Sequence, residues 1–191
     1  VQTYDKHRLV PFGEYMPFDW FFRYINVGGL AARTELGFAS GSGPSILNFG
    51  ALGAALPLIC YEAVFAHAVG GTEIRPNFLI QLTNDAWFGN WSGPQQHLAQ
   101  ARMRAIEQGL PMVRVANTGI SALIDPKGRV TASLGLGTAG YLDVKLPQPG
   151  ASTLYSYTGD WPWITILILG LWGSIIQRTL QGGKIGVDQI R

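Results

Sequence analysis

Ala51 to Ile59 carries no polar side chain, and the run stops abruptly at Cys60-Tyr61-Glu62. A short apolar stretch bounded by polar residues predicts a buried strand. Glu62 to Val69 is compatible with a helix that ends at Gly70-Gly71. Phe78 to Thr83 predicts a second apolar strand, running into the polar loop Asn84-Asp85-Ala86-Trp87-Phe88-Gly89. Ser92 and Pro94 mark the start of a helix that closes at Gly109, with Leu98, Ala101, Ala105 and Ile106 as its buried stripe. Met112 to Ala116 and Ser121 to Ile124 read as further strands, followed by Asp125-Pro126-Lys127-Gly128, a type I turn signal. Val130 to Leu134 and Gly140 to Val144 complete the set, and Val1 to Tyr4 reads as the end of a strand delivering Lys6. Strands interleaved with helices predict an α/β layer arrangement.

Two stretches stand apart from that alternation. Phe18 to Ile25 is very aromatic and leads into Val27-Gly28-Gly29 and Ser40-Gly41-Ser42-Gly43-Pro44. Trp20, Phe21 and Phe22 are read either as an arm or lid dipping into lipid or as core aromatics. Near the other end, the sixteen residues from Trp161 to Ile176 contain no charge. Asp160 is positioned to cap a helix there, with Pro162 in its first turn. The run is shorter than the ~20 residues usually needed to span a bilayer, although flanking residues can extend it. Tyr155, Tyr157, Trp161 and Trp163 cluster at its entrance as an aromatic belt does. Arg178, Lys184 and Arg191 come after it, which by the positive-inside rule predicts a cytoplasmic tail. A buried core helix is the alternative.

Composition sharpens this. Of 191 residues only 14% are charged and 47% are hydrophobic, with six tryptophans, against about 25% charged in a typical soluble domain. That balance points to a membrane or a large interface. The net charge of +2, without a basic run, gives no electrostatic footprint for nucleic acid. A single cysteine excludes an internal disulfide and any cysteine-rich zinc site. The chain opens at Val1 with neither a methionine nor a signal-like segment, so it reads as the C-terminal part of something longer.

That cysteine is the leading candidate for chemistry. A thiol on a strand-to-helix turn is held above a sheet, where a helix N-terminus favours the thiolate; the alternative is a small buried hydrophobe. Lys6 could supply positive charge to an oxyanion, or be an ordinary solvated lysine at a strand end. Glu14 could hold that ammonium, or be a solvated turn charge. Glu62 could order an acceptor amine, or complement a helix N-terminus. Asn84, Asp85 and Trp87 could wall a pocket, and His97 reads as structural rather than as a second base.

Two motifs, Tyr4-Asp5-Lys6-His7-Arg8-Leu9-Val10-Pro11-Phe12-Gly13-Glu14-Tyr15 and Ile59-Cys60-Tyr61-Glu62, occur together with Asn84–Gly89 and Gln96-His97 to Glu107. In this order they resemble the nitrilase superfamily, and more narrowly the C-terminal portion of the bacterial apolipoprotein N-acyltransferases. The resemblance implies a partial nitrilase-like αββα sandwich, followed by a C-terminal transmembrane helix. It divides the chain into catalytic-domain residues 1–150, a linker 151–160, a transmembrane helix 161–180 and a cytoplasmic tail 181–191. It implies Cys60 as nucleophile, Lys6 as triad lysine, Glu14 as an additional active-site glutamate, and Tyr61 and Glu62 as residues flanking the nucleophile. The general-base glutamate is expected upstream of Val1, so the isolated fragment is expected to be inactive. The implied reaction moves an acyl chain from a phospholipid, through a cysteine thioester, to the N-terminal amine of an S-diacylglyceryl-cysteine apolipoprotein. The expected setting is a monomer in the bacterial inner membrane, with its catalytic domain periplasmic and with no cofactor, metal or nucleic acid. Two alternatives remain open: an amidohydrolase acting on a small amide, and a non-catalytic, membrane-tethered binding module.

Overall fold

In a computed structural model, residues 2–18 and 38–185 are described, with side chains to residue 179; Trp20, Phe21 and Phe22 lie outside them. The chain divides into a unit of residues 1–156 and a unit of residues 157–191.

Among the described residues the first unit is built on a six-stranded mixed sheet in sequential order: β1 (Leu47–Asn48), β2 (Ala54–Ile59), β3 (Phe78–Asn84), β4 (Met112–Asn117), β5 (Ser121–Ile124) and β6 (Val130–Leu134). The central pairs β2/β3 and β3/β4 are parallel, and the outer pairs are antiparallel. Parallel neighbours need crossovers. The β3-to-β4 crossover is α1 (Gly93–Gln108). Register places Leu56, Leu79, Met112 and Ile124 side by side on one face, since Leu56 pairs Leu79, Leu79 pairs Met112 and Met112 pairs Ile124. That face packs with Ala101 and Ala105 of α1 and with Ala63, Val69 and Leu110 into the core. On the opposite face, Leu82 and Val115 are cross-strand partners and both are exposed.

The buried side of α1 differs from the predicted stripe. Ala101 and Ala105 are buried and Leu98 packs against the core, but Ile106 is exposed, and His97, Arg104 and Gln108 point inward instead. The reason lies in the β2-to-β3 connection. Instead of the expected helix over Glu62 to Val69, it makes two 3-10 turns, Cys60–Val64 and Ala66–Ala68. Their backbone carbonyls need donors inside the protein. Arg104 donates to the Ala63 and Val64 carbonyls (3.4 and 3.1 Å), and Gln108 donates to Val69 (2.6 Å). Helix periodicity alone cannot anticipate an inward polar stripe of this kind.

The Asp125 turn forms as expected: Gly128 donates to the Asp125 carbonyl (2.9 Å), and the Asp125 carboxylate accepts from Lys127 N, Arg129 N and Arg129 Nε. Two predicted strands do not form. Residues 2–4 are irregular, and so is Gly140 to Val144, whose Tyr141, Leu142 and Val144 border a cavity of about 340 Å³ over β4 and β5 without joining the ladder. Alternating apolar residues announce contact with a sheet, not hydrogen bonding to its edge.

α2 (Leu154–Thr158) interrupts the expected linker. α3 (Trp161–Ile185) begins where the sequence predicts, with Trp163 N and Ile164 N donating to the Asp160 carbonyl (both 3.1 Å). However, no described helix is long and apolar enough to cross a membrane, so the expectation of a spanning helix over 161–180 is not supported. Thr165, Gly170, Gly173 and Ser174 dilute the apolar run, and Gln177 and Arg178 close it.

α1 ends at Gly109, which is left-handed (φ 62°) and donates back to the Ala105 and Ile106 carbonyls. A Cβ there would also land on the Ala151 carbonyl oxygen. Gly109→Ala should therefore destabilise the first unit by about 1–3 kcal/mol, read as a lower urea midpoint with an unchanged m-value.

Candidate active site

Cys60 sits where β2 ends, half-buried, with φ at 51°. A left-handed conformation costs a non-glycine residue roughly 1–2 kcal/mol, and strain of this kind concentrates at functional sites. The sequence places the thiol on a strand-to-helix turn. The turn is real, but the segment after the strand is a 3-10 helix only five residues long. The expected thiolate stabilisation by an α-helix N-terminus therefore has no α-helix behind it.

Glu62 is the residue that organises this turn. It is 1% exposed. Its Oε2 accepts from Ile59 N (2.7 Å) and from the Tyr4 hydroxyl (3.0 Å). Its Oε1 accepts from His7 N (2.8 Å) and Arg8 N (3.1 Å), and His7 Nδ1 lies 2.8 Å away. A buried carboxylate is stable only when it is so surrounded. Burial, reinforced by the charge of Glu62 and the hydrogen bond to it, pushes the Tyr4 phenol well above its ordinary pKa, so Tyr4 remains a donor. With its oxygens engaged in this way, Glu62 joins the segment carrying Lys6 to the turn carrying Cys60. Tyr4 and His7 are the partners that sequence reasoning missed; their place in the Tyr4–Arg8 motif was the available signal.

Lys6 donates to both oxygens of Glu14 (2.7 and 2.6 Å), a pair in which both side chains are largely buried. Val10 N also donates to Glu14 (2.8 Å), closing the loop that bears it. Glu14, Cys60 and Tyr61 line one cavity of about 410 Å³, together with Val10, Gly13, Phe38, Trp87 and Phe88. Lys6 thus reaches the cavity wall through Glu14. Tyr61 is held edge-on to Phe65 (centroids 4.9 Å apart). The chamber is predominantly apolar, with Cys60 and the Glu14 partner of Lys6 set into its wall.

Of the loop Asn84–Gly89, Trp87 and Phe88 line this cavity, whereas Asp85 does not. Asp85 is buried under the sheet, paired with Arg114 (2.6 Å) and accepting from Thr83 (3.1 Å), with His97 Nδ1 at 2.9 Å. Burial alone would raise its pKa, but the His97 hydrogen bond and the Arg114 charge overcome that and hold the carboxyl below its ordinary value of 3.8. Burial in turn lowers the Arg114 pKa against the opposing pull of Asp85. Among the described residues, no group of His, Cys, Asp and Glu side chains could hold a metal ion.

A thiol at a strained turn after a parallel strand shares its cavity with Glu14, the partner of Lys6, on an α/β scaffold. The carbon-nitrogen hydrolase family profile matches residues 1–154, and the chain belongs to that family. Among curated relatives it is 49% identical over 178 residues to the apolipoprotein N-acyltransferase of Bradyrhizobium diazoefficiens, covering 93% of this chain and 33% of that protein. It is likewise 49% identical over 182 residues to the apolipoprotein N-acyltransferase of Rhodopseudomonas palustris, covering 95% and 34%. The chain therefore spans about a third of the length of these relatives. A solved amidase of the nitrilase superfamily from Nesterenkonia AN1 aligns at 22% identity and a TM-score of 0.49, covering 71% of this chain and 47% of that one.

This geometry makes two outcomes measurable. Glu62→Gln, which turns an amide toward donors, should lower stability by about 2 kcal/mol or more; amide hydrogen exchange at residues 7, 8 and 59 should accelerate ahead of global unfolding. Asp85 has a folded pKa below its unfolded one, so its stabilisation is complete above pH 3.8 and fades as pH falls through the depressed folded value. Urea midpoints should drop in that acid window. Asp85→Asn should flatten the drop while costing about 3 kcal/mol or more at neutral pH, because Arg114 is left unpaired.

Proposed function

We propose that this chain carries the nucleophile-bearing part of an apolipoprotein N-acyltransferase. The observation that carries the reading is Cys60, strained into a left-handed turn and opening on a cavity lined by Val10, Phe38, Tyr61, Trp87 and Phe88 as well as Glu14. A hydrocarbon chain fits such a lining better than a small polar amide does. Kinship with relatives named for this activity supports it.

In this reading the Cys60 sulfur attacks the ester carbonyl of a phospholipid. The carbonyl–oxygen bond breaks, the lysophospholipid leaves with a proton on its hydroxyl, and an acyl thioester remains. The α-amine of an S-diacylglyceryl-cysteine apolipoprotein then attacks that thioester, the carbon–sulfur bond breaks, and an amide forms as the thiol recovers its proton. Lys6, oriented by Glu14, offsets the negative oxygen of each tetrahedral intermediate, helped by a backbone N–H after Cys60. Tyr61 walls the acyl site and Glu62 holds the two catalytic segments together.

The exposed sheet face carrying Leu82 and Val115 is the surface assigned to the second sheet of an αββα sandwich. α3 is the assigned membrane segment: Ile166, Leu167, Ile168, Leu169, Leu171, Trp172, Ile175 and Ile176 are exposed around its circumference, a pattern unfavourable in water. The remaining assignments are a periplasmic catalytic unit, a cytoplasmic tail and a monomeric state.

The test is intact-mass spectrometry of the full-length protein after mixing with phospholipid vesicles. An added acyl mass is expected on the native protein and is expected to vanish in Cys60→Ala. An acyl adduct that persists in Cys60→Ala would sink the assignment. Ammonia release from small amides, with no lipid adduct, would move the chain to the amidohydrolases, and an inert Cys60 would make it a binding module.

A further inference from the structure

Beneath the Cys60 turn lies a polar cluster that the proposed chemistry does not use. Gln81, Asp85, His97 and Arg114 are each at most 3% exposed. Gln81 on β3 and Arg114 on β4 are cross-strand partners. His97 comes from α1, and Asp85 opens the 3-10 turn Asp85–Phe88. Arg114 Nη1 donates to Gln81 Oε1 and Arg114 Nη2 donates to Asp85 Oδ2 (2.6 Å). His97 Nδ1 lies 2.9 Å from Asp85 Oδ1, and His97 Nε2 lies 3.1 Å from Gln81 Nε2. The four side chains therefore close a ring.

The donor inventory fixes how the ring is wired. A guanidinium only donates, so the oxygen of Gln81 faces Arg114 and its NH₂ faces away. That NH₂ has two hydrogens and two neighbours, His97 Nε2 and the Cys60 carbonyl oxygen at 3.3 Å. His97 Nε2 must then accept, which places the imidazole proton on Nδ1, donated to Asp85. Each member is oriented by the next; Arg114 Nε anchors the ring at the Ile120 carbonyl (3.2 Å), and the second hydrogen of the Gln81 NH₂ goes outward to Cys60. The ring also reaches the far wall of the cavity, because Phe88 packs edge-on against His97 (centroids 5.3 Å, 72°) and Asp85 begins the turn that carries Trp87 and Phe88. Space for it is reserved at Gly119, where a Cβ would collide with Asp85 Oδ2.

We propose that Gln81 is a positioning residue for the Cys60 nucleophile, locked by Arg114, Asp85 and His97, and that this ring fixes the thiol turn relative to the Trp87–Phe88 wall. The proposal rests on the reading of Cys60 as the nucleophile. The left-handed Cys60 peptide relaxes toward ordinary backbone unless its carbonyl is held, and Gln81 is the side chain that holds it.

The test uses the full-length protein and two readouts: the rate of Cys60 alkylation by iodoacetamide, and kcat against KM for acyl transfer from phospholipid vesicles. Gln81→Met keeps the length and removes the donors. It should slow alkylation about tenfold and lower kcat with KM unchanged. His97→Leu should do the same, whereas His97→Gln, whose oxygen can again accept from Gln81, should recover most of the rate. Gln108→Met removes a comparable buried bond, to Val69, and should leave alkylation within about twofold of native. A folded Gln81→Met variant with native alkylation and native kcat overturns the proposal. If that variant does not fold, equal alkylation rates in His97→Leu and His97→Gln overturn it. Slowed alkylation in Gln81→Met, in a protein that accepts no lipid acyl group, upholds the ring and discards the substrate.

Discussion

One buried carboxylate sets the spatial relation on which the site depends. Glu62 accepts from the backbone of His7 and Arg8 on one side and of Ile59 on the other, with Tyr4 closing the shell. Segments more than fifty residues apart in sequence are thereby fixed to one charge. An apolar contact between them would tolerate sliding, whereas a desolvated carboxylate loses most of its stabilisation if any donor withdraws. Glu14, which holds Lys6, and the Cys60 turn consequently line one cavity.

The same demand for satisfied backbone shapes the helix above the sheet. A parallel crossover normally hides its polar groups inside a helix of its own. Here the stretch after Cys60 coils as short 3-10 turns, which leave carbonyls free. Arg104 and Gln108 reach from α1 to supply the missing donors, and Arg104 is steadied by Glu107 (2.7 Å). The inward face of α1 is therefore alanine and polar side chains in alternation, where small residues admit close approach and long ones supply donors.

Within the cavity, two environments meet. Aromatic and aliphatic side chains exclude water from most of the wall, while Lys6 and Glu14 keep a mutually neutralised charge pair at its edge. Such a pair strengthens where water is excluded, which fixes the Lys6 ammonium against Glu14. The strained backbone at Cys60 persists in this setting because the bonds around it over-determine its conformation.

By itself the sequence determined the apolar strands β2 to β6, the ends of α1 at Pro94 and Gly109, the Asp125 turn and the presence of a lone thiol between an apolar strand and an acidic residue. Those features come from local rules: periodicity, proline and glycine stereochemistry, and side-chain caps within a few residues. It did not determine that Glu62 faces inward, that Asp85 leaves the cavity for Arg114, or that His97 and Gln81 close a ring under Cys60. Each of these depends on partners brought close by strand register and by the crossover, and hydrogen-bond donors carry no signature of their distant acceptors. Tertiary structure alone decided which polar residues were buried, because burial of charge becomes favourable only after the fold has assembled the groups that satisfy it.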